Sequence, residues 1–463
     1  MLHAMDLRVR LRTVFVVALG VRLGAVAAGY AAPRALALRD YRVAQAPCPS
    51  LWRYLNRRPQ CGAVLAEDEV AYDALGRSIA AGRGFVIESV WLYNRPGEPT
   101  AYGNFLYPAF VGAVYFATGD SVLALLVLQA LLGALAAVGV ARAAAGLVGG
   151  SASGGTRPGG SAYGRTPEAA ASDPEGRRAA SWAGILAALH PGLVLASAMV
   201  MSEALVVPIL VAVYLTWAGF LESPGWRRAA LTGALGAAAC LTRSPALYAL
   251  PVMMVAALAG RGAERARRPV LLLAVVAVAA LLMAPWAARN AVRFGAFVPT
   301  DTKAGGNLWL FNHPSPNLAL EVWRDAPDAH PPPAPIEGMN EAQAERHFRR
   351  LAVDFIRERP LSVAGATALR LGLFLVPVPR HNRLPALRAA VAALYLVVTW
   401  LGLAGLWRAR KCPRGRALAG LSLTWVLLLC LTAVGLRHRL SIEWVLVAGA
   451  GLALSALLAP RRA

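Results

Sequence analysis

Apolar stretches long enough to cross a bilayer recur along almost the whole chain, and this repetition limits the fold more than any motif does. A spanning helix needs about 20 apolar residues, because every backbone polar group must be satisfied within the segment once water is gone. Of 463 residues, 57% are hydrophobic and 16% charged, whereas an ordinary globular domain is about half apolar and a quarter charged. No interval remains for a separate soluble catalytic domain. Any active site must sit in or beside the membrane, and the expected fold is an all-α polytopic membrane protein.

Ten spans are expected: Val14–Ala32, Ser121–Val148, Trp182–Val200, Ala204–Leu221, Ala229–Leu241, Ala246–Ala259, Val270–Ala288, Leu387–Trp407, Leu418–Val434 and Ile442–Leu458. The first follows a basic amino terminus but lacks a convincing cleavage site, so it reads as an uncleaved span rather than a signal peptide. Arg22 in its middle is costly in lipid and should face other helices or snorkel, a role in a site being the lesser reading. Tyr107–Thr118 and Leu361–Val376 are marginal in length and are expected as juxtamembrane helices; as spans they would raise the count to eleven or twelve. The chain then divides into residues 1–120, the first span with an external loop in which Tyr72–Ala81 forms a short helix; 121–288, a transmembrane core with a Gly/Ser-rich cytoplasmic linker at 149–178; 289–386, a second external loop interrupted by Pro331–Pro335; and 387–463, the last spans.

The net charge is +22, from 47 Lys+Arg and 25 Asp+Glu. Its clusters, at Arg8 to Arg12, Arg177 and Arg178, Arg261 to Arg268 and Arg408 to Arg416, flank apolar segments and lack interleaved aromatics. They fit positive-inside topology rather than nucleic acid, and place both termini in the cytoplasm. Five cysteines are too few for a disulfide scaffold. Cys48 and Cys61 share the first external loop, where an oxidising compartment would let them pair, free thiols being the alternative. Cys240 and Cys430 read as small core hydrophobes, and Cys412, in a basic loop, should stay reduced.

With this topology the informative polar residues gather at outer ends of spans, as an interfacial active site requires. Asp68 and Glu69 precede a short amphipathic helix, whose amino-terminal dipole favours an ionised carboxylate competent as a general base; a plain helix cap is the alternative. Glu203 sits in an outer turn, Met201-Ser202-Glu203, that could equally be an ordinary acidic turn. Arg243, alone between two apolar runs in Leu241-Thr242-Arg243-Ser244-Pro245, can clamp a phosphate bidentately or snorkel to the interface. Arg437-His438-Arg439 places two guanidiniums and an imidazole at an outer helix end, which again suits an anionic head group.

Asp68-Glu69-x-x-Tyr72, Gly82-Arg83-Gly84-Phe85, Tyr107-Pro108, His190-Pro191 with Ser202-Glu203, Leu241 to Pro245, Pro285-Trp286-x-x-Arg289-Asn290, Gly305-Gly306-Asn307 and Arg437-His438-Arg439-Leu440 follow one another along nearly the whole chain. In this order they resemble GT-C fold membrane glycosyltransferases, in particular the bacterial branch similar to protein O-mannosyltransferases and aminoarabinose transferases. The resemblance implies an inverting transfer of a sugar from a polyprenyl-phosphate carrier to an acceptor on the outer side of the cytoplasmic membrane. It implies Asp68 as catalytic base with Glu69 and Glu203 as further acids of the site, and Arg243, Arg437, His438 and Arg439 as donor-phosphate ligands. Tyr72, Tyr107, Arg289, Asn290 and Asn307 become candidates for substrate contact. Ser441 stands where the family usually has proline after Arg-x-Arg-Leu, and the soluble carboxyl-terminal domain of some members is missing, which leaves acceptor recognition to the two external loops.

His and Cys show no metal-ligand spacing, and a loosely bound divalent ion on Asp68 and Glu203 has no support in the pattern. The competing reading is a non-catalytic carrier-lipid binder, flippase or transporter. Inverted repeats and mid-span polar residues would favour it, and no convincing repeat is found. A nucleotide-sugar enzyme of soluble type would need a Gly-rich strand-to-helix fingerprint, which is absent.

Overall fold

A computed structural model describes residues 7–35, 68–88, 94–148, 173–258, 267–312, 336, 338–377, 385–432 and 435–459. Among them are sixteen α-helices and no strand beyond a lone antiparallel bridge between Val86 and Pro99. Cys48, Cys61, Pro331–Pro335 and most of the Gly/Ser-rich linker lie outside the described residues. The three described cysteines, Cys240, Cys412 and Cys430, are buried and unpaired.

Six helices are long and apolar enough to cross a membrane. They lie in α1 (Leu7–Ala35), α4 (Val122–Leu147), α7 (Glu203–Glu222), α10 (Arg268–Phe294), α14 (Pro385–Arg408) and α16 (Leu436–Leu457). The protein is a multi-pass helical membrane protein. A seventh span is broken: α5 (Pro174–Leu189) and α6 (Pro191–Ser197) together qualify but are bent by 56°. Three further expected spans form α8 (Trp226–Thr242), α9 (Pro245–Leu258) and α15 (Pro413–Cys430), of 17, 14 and 18 residues, which fall short of the length and apolarity of the six.

The expected uninterrupted Trp182–Val200 span is corrected by the break at His190. Pro191 has no N–H, so the Ala187 carbonyl loses its helical donor. Arg22 supplies the replacement: its guanidinium donates to the carbonyls of Ala187 at 3.1 Å, Ala188 at 3.3 Å and Ala18 at 3.2 Å. It is 2% exposed, so it faces other helices and does not snorkel. A charge in the middle of the first span is retained because it satisfies carbonyls that water cannot reach.

The bundle packs by close approach of small residues, the usual device where lipid removes any hydrophobic drive between helices. Helices α14 and α16 cross at Gly402, Gly405 and Gly449, and a Cβ at any of them would collide with the opposing backbone. Buried Ala, Val and Leu of α4, α5, α7 and α16 form the main core.

A second layer stands at one end of the bundle. It contains α2 (Asp68–Ala80), α3 (Leu106–Thr118), α11 (Ala304–Asn312), α12 (Glu341–Glu358) and α13 (Pro360–Leu375). The expected short helix at Tyr72–Ala81 is present but begins four residues earlier, with Asp68 and Glu69 in its first turn. Helices α2 and α3 meet through Tyr72 and Tyr107, whose rings are edge-to-face at 4.9 Å. The Tyr107 hydroxyl donates to Gln129 at 2.7 Å, and the Gln129 amide donates to the Met199 carbonyl at 2.8 Å, which ties this layer to α4 and to the turn ahead of α7. The segments expected as juxtamembrane helices form α3 and α13, apolar helices of 13 and 16 residues.

Candidate active site

Four helix ends deliver four charged side chains to one place. Asp68 opens α2 and Glu203 opens α7, so both carboxylates gain from amino-terminal helix dipoles. Arg243 follows α8 in extended conformation, with φ −148° and ψ 122°, which turns its side chain away from the helix. Arg437 lies in the first turn of α16.

Arg437 bridges the two acids, its Nε donating to Glu203 Oε1 at 3.0 Å and its terminal nitrogen to Asp68 Oδ2. Arg243 donates to the same Glu203 oxygen at 2.5 Å. Glu203 is 1% exposed, whereas the side chains of Asp68, Arg437 and Arg243 are 22%, 32% and 15% exposed. The buried carboxylate therefore organises two guanidiniums that each keep an accessible edge. Burial opposes ionisation of Asp68, but Arg437, Lys303 and His438 outweigh it and hold the carboxyl well below the usual range.

Lys303 was not singled out by motif, although it is one of only two lysines in an arginine-dominated chain. Its Nζ stands 4.8 Å from the Tyr102 ring centroid and 5.7 Å from that of Tyr72. Ser244 of the Arg243 motif donates to Asp301 at 2.6 Å, and Asp301 accepts the Lys303 N–H at 3.0 Å. The turn that presents Arg243 thus also fixes the loop carrying Lys303.

Of the remaining candidates, Glu69, Tyr72 and Tyr107 adjoin this centre, whereas Arg289, Asn290 and Asn307 make contacts of their own. Glu69 is buried and accepts the Val200 N–H at 3.0 Å, pinning α2 to the turn before Glu203. Tyr72 and Tyr107 are buried against one another. Arg289 donates to the Thr100 carbonyl at 3.0 Å and to Asn290 at 2.9 Å, with its guanidinium 4.8 Å from the Trp286 ring. Asn290, fully buried, donates to the Val298 carbonyl at 2.9 Å. Asn307 is half-buried on α11, beyond the Lys303 loop. His438 neighbours Asp68 and acts on its charge.

Arg439 is not beside Arg437. It is 1% exposed and pairs with Glu443, in a separate cluster with Thr399 and the Phe374 carbonyl. Residues two apart on an α-helix point about 200° away from each other. The expectation of two cations on one phosphate therefore becomes one, with Arg243 and Lys303 as the further cations nearby.

Glu341 is a second residue that no motif indicated. It is buried at the start of α12 and accepts from the Ala101 N–H at 2.9 Å and the Thr302 hydroxyl at 3.1 Å. Burial pushes its carboxyl up, against the pull of these hydrogen bonds and of Arg289. Among the described residues, no three His, Cys, Asp or Glu side chains converge as metal ligands.

No family model matches the chain, and no curated protein matches it. Its fold is similar to those of membrane glycosyltransferases of known structure, each at 16% identity. One is the oligosaccharyltransferase of Archaeoglobus fulgidus, tethered with an acceptor peptide containing the NVT sequon (TM-score 0.45; 85% of this chain and 45% of that one). The other is ArnT from Cupriavidus metallidurans, bound to undecaprenyl phosphate (TM-score 0.37; 84% and 73%) and in the apo state (TM-score 0.36; 83% and 72%). This chain spans less than half the length of the oligosaccharyltransferase. The likeness concerns helix arrangement alone, and the chemistry has to be argued from the side chains.

Proposed function

We propose that this protein is an inverting glycosyltransferase that moves a sugar from a polyprenyl-phosphate carrier to an acceptor hydroxyl at the outer face of the cytoplasmic membrane. The observation that carries this reading is Arg437 held between Asp68 and Glu203, with Arg243 on the same glutamate. A phosphate group is the ligand such a cluster suits: two guanidiniums aligned by one buried carboxylate can each turn a free edge to a phosphate oxygen.

In the proposed reaction the acceptor oxygen attacks the anomeric carbon as the bond from that carbon to the phosphate oxygen breaks. The electron pair leaves with the carrier phosphate, whose charge Arg243 and Arg437 offset, and Asp68 takes the acceptor's proton. The phosphate competes with Asp68 for Arg437. Carrier binding therefore loosens the ion pair on Asp68 and restores part of its basicity at the moment a base is needed. Glu203 stays with its guanidiniums as their positioning residue. The basic clusters expected in the cytoplasm support a site on the opposite, outer face.

Transfer from a purified polyprenyl-phosphate-linked sugar to envelope acceptors, followed by mass spectrometry, tests the proposal. A hexose or pentose lost from one identifiable glycan or glycoprotein on deletion, and regained in vitro, supports it. Carrier binding or movement without formation of a glycosidic product would instead make the protein a lipid binder or transporter.

A further inference from the structure

The cluster around Arg439 lies inside the bundle and has no place in the chemistry proposed above. Glu443 is wholly buried and receives Arg439 Nε on one oxygen; its other oxygen lies 3.3 Å from an Arg439 terminal nitrogen and 3.3 Å from His190 Nε2. Arg439 also donates to the Thr399 hydroxyl and the Phe374 carbonyl, each at 2.5 Å, and its guanidinium packs over the rings of Phe374 and Tyr395. His190 meets Tyr395 edge-on at 4.7 Å, and a Cβ on Gly192 would strike the Tyr395 hydroxyl. Four elements are joined in this way: the end of α13, the middle of α14, the start of α16 and the break between α5 and α6.

The same helical turn of α16 carries Arg437 on its other side. One side of the turn is thus anchored in a closed cluster that is out of contact with solvent, while the other presents a guanidinium whose partners a ligand can replace. We infer that Arg439, Glu443 and His190 form a positioning brace that holds the first turn of α16, so that Arg437 keeps its place when the carrier phosphate competes with Asp68 and Glu203 for it. This inference rests on the proposed function. Buried ion pairs are poor sources of net stability, so a brace, rather than a stabiliser, is the role that the geometry supports.

The test is binding of undecaprenyl phosphate to the purified protein in detergent, with thermal unfolding measured in parallel. Joint replacement Arg439→Gln with Glu443→Gln removes both charges, so neither is left buried alone. The expected result is a folded protein whose dissociation constant rises about tenfold, within the range of coupling for residues sharing a network. The same pair in an Arg437→Ala background should weaken binding no further, since the residue being positioned is gone. Wild-type affinity in the folded double variant, or full additivity with Arg437→Ala, overturns the inference, because a purely structural role would add. If the double variant does not fold, Thr399→Val decides: it removes one contact of Arg439 without touching charge, and unchanged affinity in that folded variant also refutes the brace. Failure of wild-type protein to bind the carrier would refute the proposed function itself, whereas binding that Arg243→Ala weakens keeps that function intact whatever the brace variants do.

Discussion

Asp68→Asn separates catalysis from binding, because the proposed base and the proposed phosphate ligand share an ion pair. The amide keeps the shape of the carboxylate and can still accept a hydrogen bond, but it cannot take a proton. Loss of a general base typically costs about 10²- to 10⁴-fold in rate, which is about 3 to 5 kcal/mol on the barrier. The cost in folding should be smaller. Arg437 keeps Glu203 at 3.0 Å and is itself 32% exposed, so about 1 kcal/mol is expected, against about 3 to 5 kcal/mol for breaking a fully buried pair. Carrier affinity should move the other way. Asp68 competes with the phosphate for Arg437, and removing that competition should tighten binding by about 1 kcal/mol, roughly fivefold. Single-turnover transfer from a purified lipid-linked donor, with carrier binding measured separately, checks both signs. Near wild-type turnover at neutral pH would reduce Asp68 to a helix cap. Abolition of turnover by Glu203→Gln with Asp68 dispensable would reassign the base to Glu203.

Arg243→Ala should weaken carrier binding by about 1.5 to 3 kcal/mol, and Arg243→Lys should restore only part of it, because a point charge does not reproduce the planar fork; unchanged affinity in the alanine variant would assign Arg243 to snorkelling. Arg22→Met should lower stability by about 1 to 3 kcal/mol through the uncapped carbonyls of Ala187 and Ala188, and Pro191→Ala should reduce that cost by returning an N–H to Ala187; equal unfolding shifts in both backgrounds would refute the capping role. Glu341 has its folded pKa raised, so its contribution to stability is fully present below the unfolded carboxylate value and is lost as pH rises through the folded value. Glu341→Gln should therefore flatten the fall in melting temperature over that interval, its one amide oxygen still able to accept from the Ala101 N–H and the Thr302 hydroxyl as one carboxylate oxygen does now, and an identical pH profile would show that folding does not shift the Glu341 carboxyl.

The helices were legible because hydropathy sets them almost alone: in lipid an apolar run has no alternative to helix. The broken span was not, since Leu193, Val194 and Leu195 beyond Pro191 are as apolar as the residues before it and a proline can kink a helix without ending it; the 56° bend and the carbonyls capped by Arg22 appear only in three dimensions. The residue types of the site were readable, but their pairing was not. Arg437 and Asp68 are 369 positions apart and Arg437 and Glu203 are 234 apart, separations over which no local periodicity carries information. Helix geometry could have divided Arg437 from Arg439 in advance, given that α16 begins at Leu436 rather than at Ile442. Glu341 escaped notice because its helix reads as an ordinary amphipathic segment with an Asn340–Gln343 capping box. Burial beneath Ala101 and Thr302 appears only in three dimensions.

Charge balance in the cluster carries one more consequence for the proposed reaction. Asp68 and Glu203 face Arg437 and Arg243, while Asp301 is bound to the Ser244 hydroxyl and the Lys303 N–H and Glu69 to the Val200 N–H, so the acids at least balance the three cations and a phosphate is drawn by the free edges of the cations rather than by a net charge. A sugar-phosphate-prenyl donor is a diester with one negative charge, whereas the released carrier is a monoester whose second proton leaves near pH 6. Above that pH the product should bind more tightly than the donor, because the additional negative charge meets fixed cations in a partly buried site. Product inhibition by the free carrier phosphate should accordingly deepen between about pH 5.5 and 7.5, and Lys303→Met should lessen it more than it weakens donor binding. Inhibition that stays level across that interval, with donor held as tightly as product at its upper end, would mean that Lys303 stands away from the phosphate and serves Asp68 alone.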